Sequence, residues 1–389
     1  MLKKKNLLFI TCALVISITS CKAQPTDGSG TPENPYQIST PDQLDAVRND
    51  LTANYVLTAD IDLSGTENWT PIGSYDASVP EDDSAAFANS FSGSLDGDGH
   101  TISNLTVEQD NGIGIGLIGL TSGDAVVKNI TVQNADCSGM MSVGTIIGYN
   151  LGTVHNLEIL GDIRVSGQNC VGGILGGNMG GDVSGCSAEG VTVTLYGEND
   201  FPDGRYVLPS SNACGGLLIG GSFGGTVDGC SADGTIIAKG RGAMGIGGLS
   251  GCLENMSNIT ECSATVTIKT GENAHGIGGL CGFCGTFDAS APADISNCST
   301  KMIFDCIDGG ATHVGGLIGT GLYMQGNESV FCVTGCSAQA AITGAVSPGA
   351  IAGRAVGSTI QNSTENITNN GVEVARQIGQ TETAFESAE

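Results

Sequence analysis

Short apolar runs recur along most of this chain, each broken by glycine or by a polar bend residue, and two patterns alternate. The first is a β-branched residue, a polar residue, a bend residue, an apolar residue and a polar or hydroxyl residue. It appears at 102–106, 127–131, 154–158, 183–187, 227–231, 259–263, 295–299, 333–337 and 360–364. The third position holds Asn104, Asn129, Asn156, Gly185, Gly229, Glu261, Asn297, Gly335 and Asn362, so all but Glu261 are residue types that accept a left-handed bend. The second pattern is Gly-Leu-Ile-Gly-like, at 115–119, 143–148, 171–176, 215–220, 246–251, 277–282 and 314–319, with a degraded copy at 348–353. Each copy falls between two copies of the first, so one repeat contains both.

Paired glycines inside every apolar run argue against helix, since each costs about 1 kcal/mol relative to alanine. The predicted fold is therefore all-β: a right-handed parallel β-helix of about nine coils, whose small apolar residues face a core completed only by stacking. The N-terminal end predicts a cap. Thr40-Pro41-Asp42-Gln43 fits a capping box with proline in the first turn, and Leu44, Val47 and Leu51 then fall on one helical face.

The expected organisation is a lipoprotein signal at 1–20, a flexible tether at 21–35, a cap with entry strands at 36–100, the β-helix at 101–365 and a polar tail at 366–389. Lys3, Lys4 and Lys5 precede an apolar stretch too short to span a bilayer, which ends in Ile18-Thr19-Ser20-Cys21. A small residue directly before cysteine resembles a bacterial lipobox, which makes Cys21 the expected site of lipidation and the membrane the expected anchor. Surface-exported lipoproteins of Bacteroidota often carry acidic residues next, whereas Lys22-Ala23-Gln24-Pro25 follows here, so the reading leaves surface and periplasmic faces of the outer membrane both open.

The entry segment 30–38, the run Leu57-Thr58-Ala59-Asp60-Ile61-Asp62-Leu63, the segment 91–102 and the Gly-Leu-Ile-Gly-like repeats together resemble GLUG-motif proteins. The resemblance covers roughly residues 28–365. It implies β-helical repeats of the kind found in bacterial surface lipoproteins, adhesins and the non-catalytic part of immunoglobulin A peptidases. A zinc peptidase needs a His-Glu-x-x-His helix. His100, His155, His275 and His313 are far apart and none begins that pattern, so peptidase activity is not implied.

Composition narrows the function further. Against 40 Asp plus Glu stand 14 Lys plus Arg, a formal charge of -26 that repels nucleic acid. A lyase acting on an acidic polysaccharide would face the same repulsion. Fifteen cysteines are present. Cys186, Cys230, Cys262, Cys298 and Cys336 occupy the fourth position of the first motif, in the column read as beginning with Leu105, Ile130 and Leu157. They are expected to be small buried hydrophobes and to stay reduced, because stacked strands about 4.8 Å apart hold parallel Cβ atoms too far apart for a relaxed disulfide. Cys281-Gly282-Phe283-Cys284 has redox-motif spacing but lies in a glycine repeat, not at a helix start. Asp96-Gly97-Asp98-Gly99 lacks the later glutamate of a calcium loop and reads as a turn. No cofactor and no metal is expected.

The longest excursion separates Cys186 from the Gly216 motif and carries Tyr196, Glu198, Asp200, Phe201, Asp203, Arg205 and Tyr206. Aromatic faces stack on sugar rings and carboxylates accept from hydroxyls, so these residues form the candidate ligand-binding loop. Shorter excursions at 74–90, 283–294 and 320–331 are read as entering the coil elsewhere. The expected function is a non-enzymatic binding or adhesion module for a glycan or a host or cell-surface protein; the alternative is a polysaccharide hydrolase or lyase on a β-helix scaffold. Labelled palmitate fed to expressing cells is predicted to mark the chain at Cys21. Unchanged membrane fractionation and processing in Cys21→Ala would contradict the lipoprotein reading.

Overall fold

A computed structural model describes residues 27–76, 78, 84–196, 214–240, 242–254, 258–286, 293–323, 331–355, 359–361 and 363–380. The chain is all-β, and it winds as a solenoid. One turn is made by the strands Val126–Lys128, Thr131–Ser138, Met141–Val143 and Ile147–Asn150, and the next begins at Thr153–His155 beside the first of these. Repetition of this turn builds four long sheets, of 11, 11, 7 and 9 strands among the described residues. They are called here the first to fourth sheets in the order that the chain visits them. Every pairing within them is parallel except that of Val372–Glu373 on Thr364–Asn369.

The Gly-Leu-Ile-Gly-like pattern sits where the third sheet turns into the fourth. Val143, Val171, Gly215, Ile246, Ile277 and Val314 share one register column, and Ile147, Leu175, Ile219, Ser250, Cys281 and Ile318 share another. From Gly148 onward the final glycine of each copy lies against the third-sheet strand of the previous coil. A Cβ added at Gly176 would overlap the Ser142 carbonyl carbon, at Gly220 that of Cys170, and at Gly319 that of Gly276. Here glycine is required by space and not by backbone angle.

The first pattern sits where the first sheet turns into the second, and the bend is left-handed at every described copy. Asn129, Asn156, Gly185, Gly229, Glu261, Asn297 and Gly335 have φ between 53° and 66°. Asparagine side chains climb this corner, Asn156 Nδ2 donating to Asn129 Oδ1 at 3.0 Å and Asn129 Nδ2 to Asp96 Oδ1 at 3.0 Å. Asp96 also accepts from the Asp98 N–H and pairs with Lys128 Nζ at 3.1 Å. Partial burial works against its charge, but these bonds outweigh it and hold the carboxyl below its ordinary pKa.

The copy at 102–106 does not belong to that corner. Val127 pairs with Leu95, whereas Ile102 pairs with Val132 and Leu105 with Ala135. Asn104 is left-handed at 61°, but its counterpart is Asn134 at 57°, in a second column of bends within the second sheet. Two corners with the same backbone need produce the same sequence pattern, and spacing alone does not separate them. Leu105 accordingly lies outside the cysteine column.

The helix Pro41–Asp45 starts as expected, with Thr40 Oγ1 accepting from the Gln43 N–H, although Gln43 reaches back to Ser39 and not to Thr40. It passes into a 3-10 turn, Ala46–Asn49, and Leu44 and Val47 are fully buried. Both flanking segments are more structured than their sequence implies. Within the segment read as a tether, the Asn54 N–H donates to the Gly30 carbonyl and the Gln37 N–H to that of Asp27. Within the one read as a polar tail, Thr364–Asn369 extends the second sheet and Ile378–Gln380 the fourth. Backbone pairing against an existing sheet edge orders these polar residues without any apolar signal of their own.

Glu261 is the one residue of the first corner with neither the freedom of glycine nor the tolerance of asparagine, and its side chain is exposed. A left-handed L residue costs about 1 to 2 kcal/mol. Glu261→Asn is predicted to raise the urea midpoint of unfolding by the equivalent of about 1 kcal/mol; a lowered midpoint would contradict the strain assigned to this bend.

Candidate functional site

Of the candidate loop residues, Tyr196 is described; Glu198, Asp200, Phe201, Asp203, Arg205 and Tyr206 lie outside the described residues, as does Cys21. What the structure gives is the base of the excursion. It leaves the second sheet directly after the strand Ser187–Leu195 and rejoins the rod at Cys214, immediately before the third-sheet strand Gly215–Gly216. Tyr196 is half-buried on the wall. Its N–H donates to the Gly167 carbonyl of the coil before, and Lys239 of the coil after places Nζ 4.8 Å from the ring centroid.

The other root is covalent. Cys214 is joined to Cys252, one coil further on, with Cα atoms 5.6 Å apart. The bond crosses the seam between third and fourth sheets, where a column of third-sheet residues faces the outward column of the following coil. Cys170 Sγ would lie 3.2 Å from a Cβ at Gly221, Ser142 Oγ 3.3 Å from one at Gly177, and Thr320 Oγ1 3.4 Å from one at Gly276. Small therefore faces large along the seam. Aromatic rings cover its glycines, with Phe223 over Gly221 and Tyr149 against Gly177. Further toward the N-terminal end, Tyr149 stacks on Tyr75 at 6.4 Å, and Phe87 meets both rings.

Sequence reasoning found the excursion but missed this staple. The signal was present in Cys214, a cysteine at the end of the excursion, but its partner lies 38 residues away in a different motif. The excursions 283–294 and 320–331 enter the coil at a different place from the long one. They leave the fourth sheet and rejoin the first on successive coils, so they share one edge of the rod.

The five ladder cysteines are buried thiols without disulfides. They are more than leucine substitutes. The Cys186, Cys230 and Cys298 N–H groups donate to Sγ of Cys230, Cys262 and Cys336 in the next coil, at 3.3 to 3.4 Å. Each Sγ also donates to the carbonyl two residues earlier in its own coil, as Cys262 does to Thr260 at 3.1 Å. Ser363 continues the column and accepts from the Cys336 N–H at 3.3 Å. Sulfur thus satisfies a corner N–H that an alkyl side chain would leave unpaired. Hydrogen bonding to the neighbouring thiol, reinforced by burial, pushes Cys186, Cys262 and Cys336 well above the ordinary thiol pKa. Cys281 and Cys284 are likewise fully buried and raised by burial.

Trp69, the chain's single tryptophan, is buried, donating from Nε1 to the Leu117 carbonyl at 3.0 Å with Arg48 5.3 Å from its ring centroid. It is part of the packing and offers no free face. Among carboxyl groups with a resolved shift, Glu254 is raised, by burial, while Asp60, Asp62, Asp76 and Asp96 are lowered.

Residues 167–194 and 242–269 match the family model described as the GLUG motif. Each match runs once round the rod, through third, fourth, first and second sheets in turn. The chain is 42% identical over 156 residues to Halomucin of Haloquadratum walsbyi, covering 38% of this chain and 2% of Halomucin. It is 32% identical over 168 residues to a protein of Evansella cellulosilytica named as a candidate Gly-rich membrane protein, covering 39% of this chain and 18% of that one. A crystal structure of a candidate immunoglobulin A1 protease from Bacteroides ovatus superposes with a TM-score of 0.51 at 19% identity, over 92% of this chain and 83% of that one. At that identity the likeness is one of fold. Two turns of the solenoid, at 167–194 and 242–269, thus carry the GLUG motif.

Proposed function

We propose that the protein is a cell-envelope lipoprotein of the Bacteroidota type, anchored to the outer membrane through lipid on Cys21, and that its solenoid is a non-enzymatic binding or adhesion module. The reading takes the rod as a right-handed coil of about nine turns closed at its N-terminal end by the helix Pro41–Asp45. The ligand class is a glycan or a protein on a cell surface. One observation carries the proposal: the long excursion is fixed at both roots, by Tyr196 held between Gly167 and Lys239 and by Cys214 linked to Cys252. Anchoring both ends lowers the conformational freedom that a loop must lose when it binds. The names Halomucin and Gly-rich membrane protein, borne by relatives of which this chain matches a small part, accord with an envelope address.

A glycan and glycoprotein array run beside a polysaccharide digestion panel tests this. Binding without turnover is predicted, with Tyr196→Ala and Tyr206→Ala each weakening it about tenfold and Tyr196→Phe retaining it, as expected where a ring face is the contact. Tyr196→Ala should cost the fold only about 0.5 to 1 kcal/mol, the cation–π share. Release of reducing ends or unsaturated sugars, abolished by a single carboxylate substitution, would replace the binding reading with the enzymatic one.

A further inference from the structure

Cys170, Cys214 and Cys252 form an apolar cluster of their own, separate from the rod's core, with Phe223 and Phe283 packed against it. Cys214 and Cys252 are bonded; Cys170 is a buried free thiol. The register fixes where that thiol stands. Val171 pairs with Gly215, so Cys170, one residue earlier, stands beside Cys214 on the neighbouring strand. Its Sγ lies over Gly221, and Gly221 pairs with Cys252. The free thiol thus adjoins both halves of the bond, one coil before each.

The backbone supports a special arrangement here. Along this third-sheet column Gly114, Ser142, Cys170, Gly245, Gly276 and His313 are left-handed, and Cys170 holds φ 52° without the freedom of glycine. Cys214 is absent from the left-handed set, although it occupies the same register, so the Cβ atoms of Cys170 and Cys214 do not project in parallel as those of the ladder cysteines do.

We propose that these three cysteines share a single migrating disulfide, exchanged within the seam. Cys170, as thiolate, attacks Sγ of Cys214. The Cys170–Cys214 bond forms as the Cys214–Cys252 bond breaks, the electron pair leaves on Cys252 Sγ, and Cys252 takes up one proton in place of the one that Cys170 lost. Nothing is oxidised or reduced overall. The cross-link then joins the coil of Asn169–Gly172 to that of Gly215–Gly216, and the coil of Ser250–Glu254 is released. Cys214, where the excursion rejoins the rod, stays cross-linked in either state but to a different neighbour. The device therefore re-tethers the base of the excursion, whatever that excursion binds.

Burial, with Glu254 adding to it, pushes the Cys170 thiol up to about 12. Few molecules carry the thiolate at neutral pH, which makes exchange slow and ties it to opening of the seam.

The test uses the full chain purified without reductant. It is incubated at about pH 8.5 with a trace of reduced glutathione, quenched in acid, alkylated and mapped by mass spectrometry of linked peptides. The expected result is a Cys170–Cys214 peptide that accumulates while alkylation moves from Cys170 to Cys252 and the total of free thiols stays constant. In Cys252→Ser, oxidised glutathione should drive formation of the same Cys170–Cys214 link. The proposal is overturned if the wild-type chain keeps alkylation on Cys170 with Cys214–Cys252 intact throughout. It is equally overturned if Cys252→Ser leaves Cys170 and Cys214 unlinked, as free thiols or as separate glutathione adducts.

Discussion

In every complete coil the fourth-sheet strand lies against the third-sheet strand of the coil before it, at a separation that leaves no room for a Cβ atom. Gly148, Gly176, Gly220, Gly251, Gly282, Gly319 and Gly353 all occupy this position, and a methyl group on any of them would overlap backbone atoms of the facing strand. Backbone at that distance cannot yield as the end of a side chain can. The contact therefore sets the cross-section of the rod, and the apolar residues on either side, such as Val143 and Ile147, are held where they meet the buried faces of the first and second sheets.

Much else follows from that contact. Because the two sheets meet on glycine, the residues just outside them come close enough to need matching in size, which is why glycine faces Ser142, Cys170 and Thr320 across the seam and why two cysteines there can be joined. The corner between first and second sheets is governed by a different need. At its left-handed bend the asparagine amides bond to side chains of the coil before, Asn156 to Asn129 and Asn129 to Asp96, while the cysteine sulfurs one residue later accept backbone N–H groups. The excursions are hung on this frame at its corners. The long excursion interrupts the passage from second to third sheet, and the shorter ones share the passage from fourth to first.

The sequence made the repeats, the bend residues and the cysteine column legible, because each recurs once per coil with its chemistry intact. It misled at 102–106, where an asparagine bend inside the second sheet copies the pattern of a true corner. The register that separates them is a property of neighbouring strands and not of one segment. The Cys214–Cys252 bond was illegible for a related reason: its halves lie in different columns of different coils, brought together by the contact between third and fourth sheets. Sulfur as an acceptor for a corner N–H was equally hidden, since cysteine in an apolar column reads first as packing. The candidate loop was visible as a composition, and the structure adds its roots, Tyr196 and Cys214.

The most direct test of the glycine contact compares Gly176→Ala and Gly220→Ala with Gly65→Ala by urea unfolding followed by circular dichroism. Gly65 has nothing within 4 Å of an added Cβ, and its φ is not left-handed, so alanine there should stay within about 0.5 kcal/mol of the parent. At Gly176 and Gly220 the same methyl group forces two sheets apart, and the predicted loss is at least about 3 kcal/mol or failure to fold. Midpoints for Gly176→Ala and Gly220→Ala equal to that of Gly65→Ala would show that the two sheets do not depend on backbone contact.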